Sequence, residues 1–254
     1  MNEITLKQII INGLLINYYI NHVNSPNTVV FLHGWLSNAK VWWDLMHALG
    51  KVGFNSIAID LPGFGDSQVP EYSVDNNFYC EILKDLLTKL KVQKFILVGH
   101  SNGGAIAVKY ANSYTLDIDK LILIDAAGIR KKTRSKTLKN LLAKTVSPLF
   151  KVPFLKPLRA PIYSAMGSED YINSEYLGST YRNIINDDIS LMYKTIYIPT
   201  LIVWGKKDKS TPIEYGEFIN SQIKDSKLEL IDAGHFPFLE KPNEVINLLI
   251  KFIK

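Results

Sequence analysis

Short apolar runs separated by helical segments recur along this chain, and that alternation constrains its fold more than any other feature. The runs NTVVFLHG (27–34), NSIAID (55–60), KFILVG (94–99), KLILID (120–125), IPTLIVWG (198–205) and KLELIDAG (227–234) read as strands, and the first, a β-branched and aromatic run, as a buried one. Between them lie helical patterns at Ser37–Leu49 (with Val41, Leu45, Met46 and Leu49 on one side), at 76–90, from about Gly103 to Ser113, at 213–223, and at the C-terminus from Lys241. Strands separated by helices of this length call for parallel pairing through right-handed crossovers. Ahead of them, TLKQIII and LLINYYI flank Asn12-Gly13, which reads as a β-hairpin.

The alternation breaks once. From Ala127 to Tyr197 there are Pro148, Pro153, Pro157 and Pro161, weak helical patterns and no convincing buried strand. The expected organisation is an α/β core of residues 1–126 and 198–254, with a mostly parallel sheet of about eight strands flanked by helices. Residues 127–197 are expected to form an inserted helical cap, a lid over the C-terminal edge of that sheet. With 254 residues, 47% of them hydrophobic, the chain can bury a core that keeps water from a site.

Chemistry concentrates at the ends of the strands. GHSNGG (99–104) sits between a strand and a helix, the context that gives a G-x-S-x-G match meaning. Gly99 and Gly103 permit a sharp turn that holds Ser101 with its hydroxyl exposed and aims a helix N-terminus at developing negative charge. A serine hydroxyl is too weak an acid to attack a carbonyl unaided, so it needs a general base and a carboxylate to orient that base. WGKKDKSTP places Asp208 just past one strand, and AGHFPFLEKP places His235 just past the next.

Each assignment has a blander competitor. Asp208 lies among Lys206, Lys207 and Lys209, as a solvated loop carboxylate would; Asp125, which ends the preceding strand, is the rival acid. His33 and His100 read as neighbours of the site, His22 and His47 as surface or helix residues, Asp232 as too near His235 to orient it, and Cys80 as core packing. Two backbone N–H groups are needed for the oxyanion, each worth on the order of 3 kcal/mol. Asn102 and Trp35, the latter beside Gly34 in HGW, are the candidates. The pattern calls for no cofactor and no metal.

With HGW, DLPGFGDS, GHSNGG, WGKKD and GHFPFLEKP in this order, the chain resembles the α/β-hydrolase superfamily, in its lidded, esterase-like serine hydrolase branch. The resemblance implies an eight-stranded sheet, a triad of Ser101, Asp208 and His235, and oxyanion N–H groups on Trp35 and Asn102. Serine at 101 argues against haloalkane dehalogenases and epoxide hydrolases, whose nucleophile is Asp. HGW departs from the HGxGPG loop of ring-cleavage C–C hydrolases.

The expected activity is hydrolysis of small-molecule carboxylic esters of small to medium acyl chain. The alternatives are a C–C hydrolase, lactonase or perhydrolase using the same triad, a carrier-protein methyl ester esterase, and a non-catalytic ligand-binding receptor. Charge adds one question about partners. Ten of the 29 basic residues fall between Arg130 and Arg159, where there is no Asp or Glu, so the overall +5 hides an acidic remainder. Either the cap shows its lysines to water, or it meets an anionic lipid interface, a fatty-acyl substrate or an acidic carrier protein. Nothing resembles a nucleic-acid recognition fold. The N-terminal stretch does not read as a signal peptide, no apolar run is long enough to span a bilayer, and the lone Cys80 cannot form an intrachain disulfide. A cytoplasmic location is the expectation.

Overall fold

The computed structural model describes residues 3–130 and 175–254. Its strands are β1 (Thr5–Ile11), β2 (Leu14–Asn21), β3 (Thr28–Leu32), β4 (Asn55–Ile59), β5 (Phe95–His100), β6 (Ile118–Ile124), β7 (Thr200–Gly205) and β8 (Ser226–Ile231). They form one sheet in the order β1-β2-β4-β3-β5-β6-β7-β8. The β1–β2 and β2–β4 pairs are antiparallel, and every pair from β4 to β8 is parallel. The β1–β2 hairpin turns on Asn12 and Gly13, both with positive φ (50° and 81°), as the Asn-Gly signal requires.

The helices are α1 (Trp43–Lys51), α2 (Asn76–Lys89), α3 (Asn102–Ser113), α4 (Glu175–Asn186), α5 (Ile213–Gln222), the short α6 (Pro237–Glu240) and α7 (Pro242–Ile253). They cover both faces of the sheet because the central strands alternate. In β3, Val30 and Leu32 join the core layer of α2, α3 and α5, whereas Val29 and Phe31 join that of α1 and α7. In β5, Leu97 and Val98 divide in the same way. Two-sided burial is why these strands read as continuous apolar runs.

One boundary differs from the sequence reading. The helix expected from Ser37 opens as a 3₁₀ turn over Ala39–Trp42, because the Asn38 side chain accepts from the Lys40 amide; the α-helix begins only at Trp43. Of the expected cap, residues 131–174 lie outside the described residues, and with them the lid helix read at 135–150 and all of the basic segment but Arg130. Beyond them, α4 is fastened to the start of α2. Thr180 Oγ1 accepts from the Val74 amide (2.9 Å), and Asn183 Nδ2 donates to the Val74 carbonyl (3.1 Å). Asp187 pairs with Lys109 of α3 at 2.8 Å.

β3 sits between β4 and β5, so the chain leaves it to opposite sides. At such a switch point the loops beyond the strand ends diverge and leave a crevice. The loops after β3 and β5 border it, and those after β6, β7 and β8 follow along the same edge.

Candidate active site

At the end of β5 the backbone turns through Ser101 at φ 50° and ψ −118°. A non-glycine residue in this region costs about 1–3 kcal/mol, which the surroundings must offset. They do so through the main chain: the Ser101 amide donates to the Ile124 carbonyl (3.1 Å), and the Ser101 carbonyl accepts from Gly104 (3.0 Å) and Ala127 (2.9 Å). The flanking glycines are needed because a Cβ on Gly99 would stand 2.3 Å from the Gly103 carbonyl oxygen, and one on Gly103 would stand 2.3 Å from that of Leu32. The result presents Ser101 above the N-terminus of α3.

The loop after β7 folds around a carboxylate. Asp208 Oδ1 accepts from the amides of Ser210 (2.6 Å) and Thr211 (3.1 Å), while Oδ2 accepts from the Thr211 hydroxyl (2.6 Å) and from His235 Nδ1 (2.6 Å). Burial pushes this carboxyl upward, but the His235 and Thr211 hydrogen bonds outweigh it and hold Asp208 near 2. The solvated-loop reading of Asp208 is therefore wrong. Its side chain is fully buried, while Lys207 turns outward to pair with the exposed Asp232 at 2.8 Å.

Two residues clamp the backbone around His235. Glu240 of α6 accepts from the amides of Gly234 (2.8 Å) and Phe236 (3.3 Å). His100 Nε2 donates to the His235 carbonyl (2.7 Å), and the two imidazoles lie 4.8 Å apart. A carbonyl only accepts, so His100 carries its proton on Nε2. Burial, and then the nearby His235, hold His100 down to about 3, which keeps it neutral. Asp208 and His235 are joined by a hydrogen bond; among the described residues none joins His235 to Ser101, and His100, the residue before Ser101, bridges them.

His33 is likewise structural. Its Nδ1 donates to the Gly34 carbonyl (2.7 Å) and its Nε2 accepts from the Leu61 amide (3.0 Å), with burial holding it near 4. Asp60 then ties the loop after β3 to the turn after β4, accepting from the amides of Ala39 (2.7 Å) and Asp66 (3.0 Å). A Cβ on Gly34 would lie 3.1 Å from Ser101 Cβ, so its absence lets the Gly34-Trp35 backbone lie against the turn at Ser101. On the other side, Asn102 opens α3, where amides have no partner within the helix. The Trp35 indole packs against Phe64 (4.8 Å between ring centres) and Tyr181 (5.3 Å).

The remaining candidates separate cleanly. His22 and His47 are exposed, and Cys80 is buried with its thiol pushed up to about 12 by burial. Asp125 is buried at the end of β6, where its Oδ1 accepts from the Gly205 amide (2.9 Å). Burial, then the neighbouring Asp208, raise it to about 9. Thr211, Glu240 and Asp60 did not stand out in the sequence, although Glu240 lies within the same AGHFPFLEKP segment as His235.

Comparison with known proteins agrees with this architecture. YisY of Bacillus subtilis, described as an AB hydrolase superfamily protein, is 30% identical, with 93% of this chain and 95% of YisY covered. A bacterial membrane phospholipase A structure superposes with a TM-score of 0.80 at 22% identity, covering 98% of this chain and 86% of the other. A meta-cleavage product hydrolase from Pseudomonas fluorescens superposes with a TM-score of 0.75 at 24% identity, covering 97% of each. At these identities the two structures speak to the fold. No described helix is long and apolar enough to cross a membrane. The family model for the alpha/beta hydrolase fold matches residues 27–154 and 158–242, and the chain belongs to that family.

Proposed function

We propose that this chain is a serine hydrolase acting on carboxylic esters of small to medium acyl chain. The observation that carries the reading is the 2.6 Å hydrogen bond between His235 Nδ1 and the buried, ionised Asp208, on the sheet edge where the strained elbow presents Ser101. With Nδ1 donating to Asp208, Nε2 is the free base. It takes the Ser101 proton as Oγ attacks the ester carbonyl, and the amides of Trp35 and Asn102 receive the oxyanion. His235 returns the proton to the departing alcohol, leaving an acyl-enzyme on Ser101. Water, activated by the same imidazole, then releases the acid. Trp35 and Phe64 supply an apolar wall suited to an acyl chain.

No step in this scheme calls for a cofactor or a metal. C–C hydrolysis is the second reading, since it would use the same groups. Stopped-flow mixing with p-nitrophenyl butyrate tests the first. A burst of one p-nitrophenolate per chain, lost in Ser101→Ala, is expected; an unchanged rate in Ser101→Ala would refute it. Faster turnover of a vinylogous diketone than of any ester would favour the second. A cytoplasmic location and an anionic partner for the basic segment remain parts of the proposal. Neutralising the lysines between 131 and 156 and measuring vesicle binding tests the latter.

A further inference from the structure

The mechanism above uses one buried aspartate and leaves another beside it. Asp125 ends β6 with φ 44°, a left-handed turn that an aspartate tolerates at a cost. Its amide donates to the Val203 carbonyl (3.0 Å), and its Oδ1 accepts from the Gly205 amide. Side-chain atoms of Asp125, Asp208 and His235 all lie within 4.8 Å of one another. Among the described residues, the buried Asp125 Oδ2 has no hydrogen-bond donor.

An ionised Asp125 would be a second negative charge against Asp208, with a single amide donor and no cation of its own among the described residues. Burying such a charge costs several kcal/mol, whereas a neutral carboxyl avoids the cost and gains a donor. The groups facing Asp125 from the elements around it are Asp208 in the loop after β7, His235 in the loop after β8, and Glu240 of α6. His235 already gives its Nδ1 proton to Asp208, and Glu240 adds further negative charge. We propose that Asp125 is a positioning residue: it keeps its proton and donates it in a hydrogen bond to Asp208, bracing from behind the carboxylate that orients His235. Thr211 completes the arrangement. Its hydroxyl donates to Asp208 Oδ2 at 2.6 Å and lies 3.1 Å from the Asp125 carbonyl, so it stands between the two residues.

Two carboxylates and an imidazole also make a donor set for a divalent cation. Here, however, His235 Nδ1 and Asp208 Oδ2 face each other 2.6 Å apart, a separation that holds a proton and leaves no room for an ion between them.

The inference rests on the reading of Ser101, His235 and Asp208 as the catalytic groups, so its test has one arm that needs no substrate. Between 3.8 and about 9 the folded chain holds a proton on Asp125 that the unfolded chain has lost, so this group's contribution to stability falls as pH rises through that window. Asparagine copies the neutral acid: Oδ1 still accepts from Gly205, and Nδ2 donates to Asp208. Chemical unfolding across that window is expected to show wild type losing stability toward high pH and Asp125→Asn losing much less. Parallel slopes would overturn the proposal.

In the second arm, kcat and KM for p-nitrophenyl butyrate are followed against pH. Asp125→Ala is expected to lower kcat by about tenfold with little change in KM, as expected for a lost hydrogen bond to a charged group. Asp125→Asn is expected to restore most of that loss. Wild-type kcat/KM should decline above about 9 as Asp125 ionises, and Asp125→Asn should lack that decline. An asparagine variant no better than alanine, an alkaline decline that survives in it, or activity abolished by a chelator would each overturn the proposal. If the alanine variant does not fold, the alkaline limb of the asparagine variant decides the second arm alone.

Discussion

Asp125 and Asp208 stand at the carboxyl ends of adjacent strands, both buried and both beside His235, yet their surroundings drive them to opposite charge states. The loop after β7 wraps Asp208 in two amides, a hydroxyl and an imidazole N–H; the end of β6 offers the Asp125 side chain one amide. Hydrogen bonds favour the ionised form and burial opposes it, so the number of donors decides the outcome. Asp208 is held near 2 and Asp125 near 9. Their pH signatures oppose each other accordingly. Asp208 contributes stability above 3.8 that is lost as pH falls toward about 2, whereas the contribution of Asp125 is full at low pH and is lost as pH rises toward about 9. Position on a sheet edge does not assign a carboxylate its role; its donors do.

The largest effect is expected of Asp208→Asn. In the proposed mechanism the amide would favour the wrong imidazole tautomer, and kcat should fall by about 10⁴-fold. Retention of a tenth of wild-type kcat on p-nitrophenyl esters would mean that Asp125 serves as the acid. A gentler change sharpens the donor argument. Thr211→Val removes a hydroxyl 2.6 Å from Asp208 Oδ2 and should lower kcat by roughly three- to tenfold, the worth of one hydrogen bond. The smallest effect belongs to a third aspartate, Asp232, which sits three residues before His235 but is exposed and paired with Lys207. Asp232→Asn should leave kcat/KM unchanged in steady-state assays, since a screened surface pair does not reach the site.

Much of this was legible in the sequence, for physical reasons that also mark where legibility ends. The central parallel strands are buried on both faces and so appear as unbroken apolar runs. The elbow announces itself because only glycine fits at 99 and 103, and Ser101, Asp208 and His235 follow from their places after strands. Asp208 itself reads ambiguously. Three neighbouring lysines suggest a solvated loop, and only the fold reveals that Lys207 points outward while the carboxylate points in. Thr211, Glu240 and Asp60 act on their neighbours through backbone groups or short turns, which leave no periodic signature. Hydrophobic spacing places the helix after HGW too early, because it cannot distinguish a 3₁₀ turn capped by Asn38 from the first turn of α1. The charge states of the two aspartates depend on donor counts that appear only when β6, β7 and β8 are side by side.

The most direct test is covalent labelling with a fluorophosphonate, located by peptide mass spectrometry, in wild type, Asp208→Asn and Asp125→Asn. A single adduct on Ser101 is expected, formed on the order of 10³-fold or more slowly in Asp208→Asn and near the wild-type rate in Asp125→Asn at neutral pH. An adduct on another residue, or Asp125→Asn slowing the reaction as much as Asp208→Asn, would contradict this expectation.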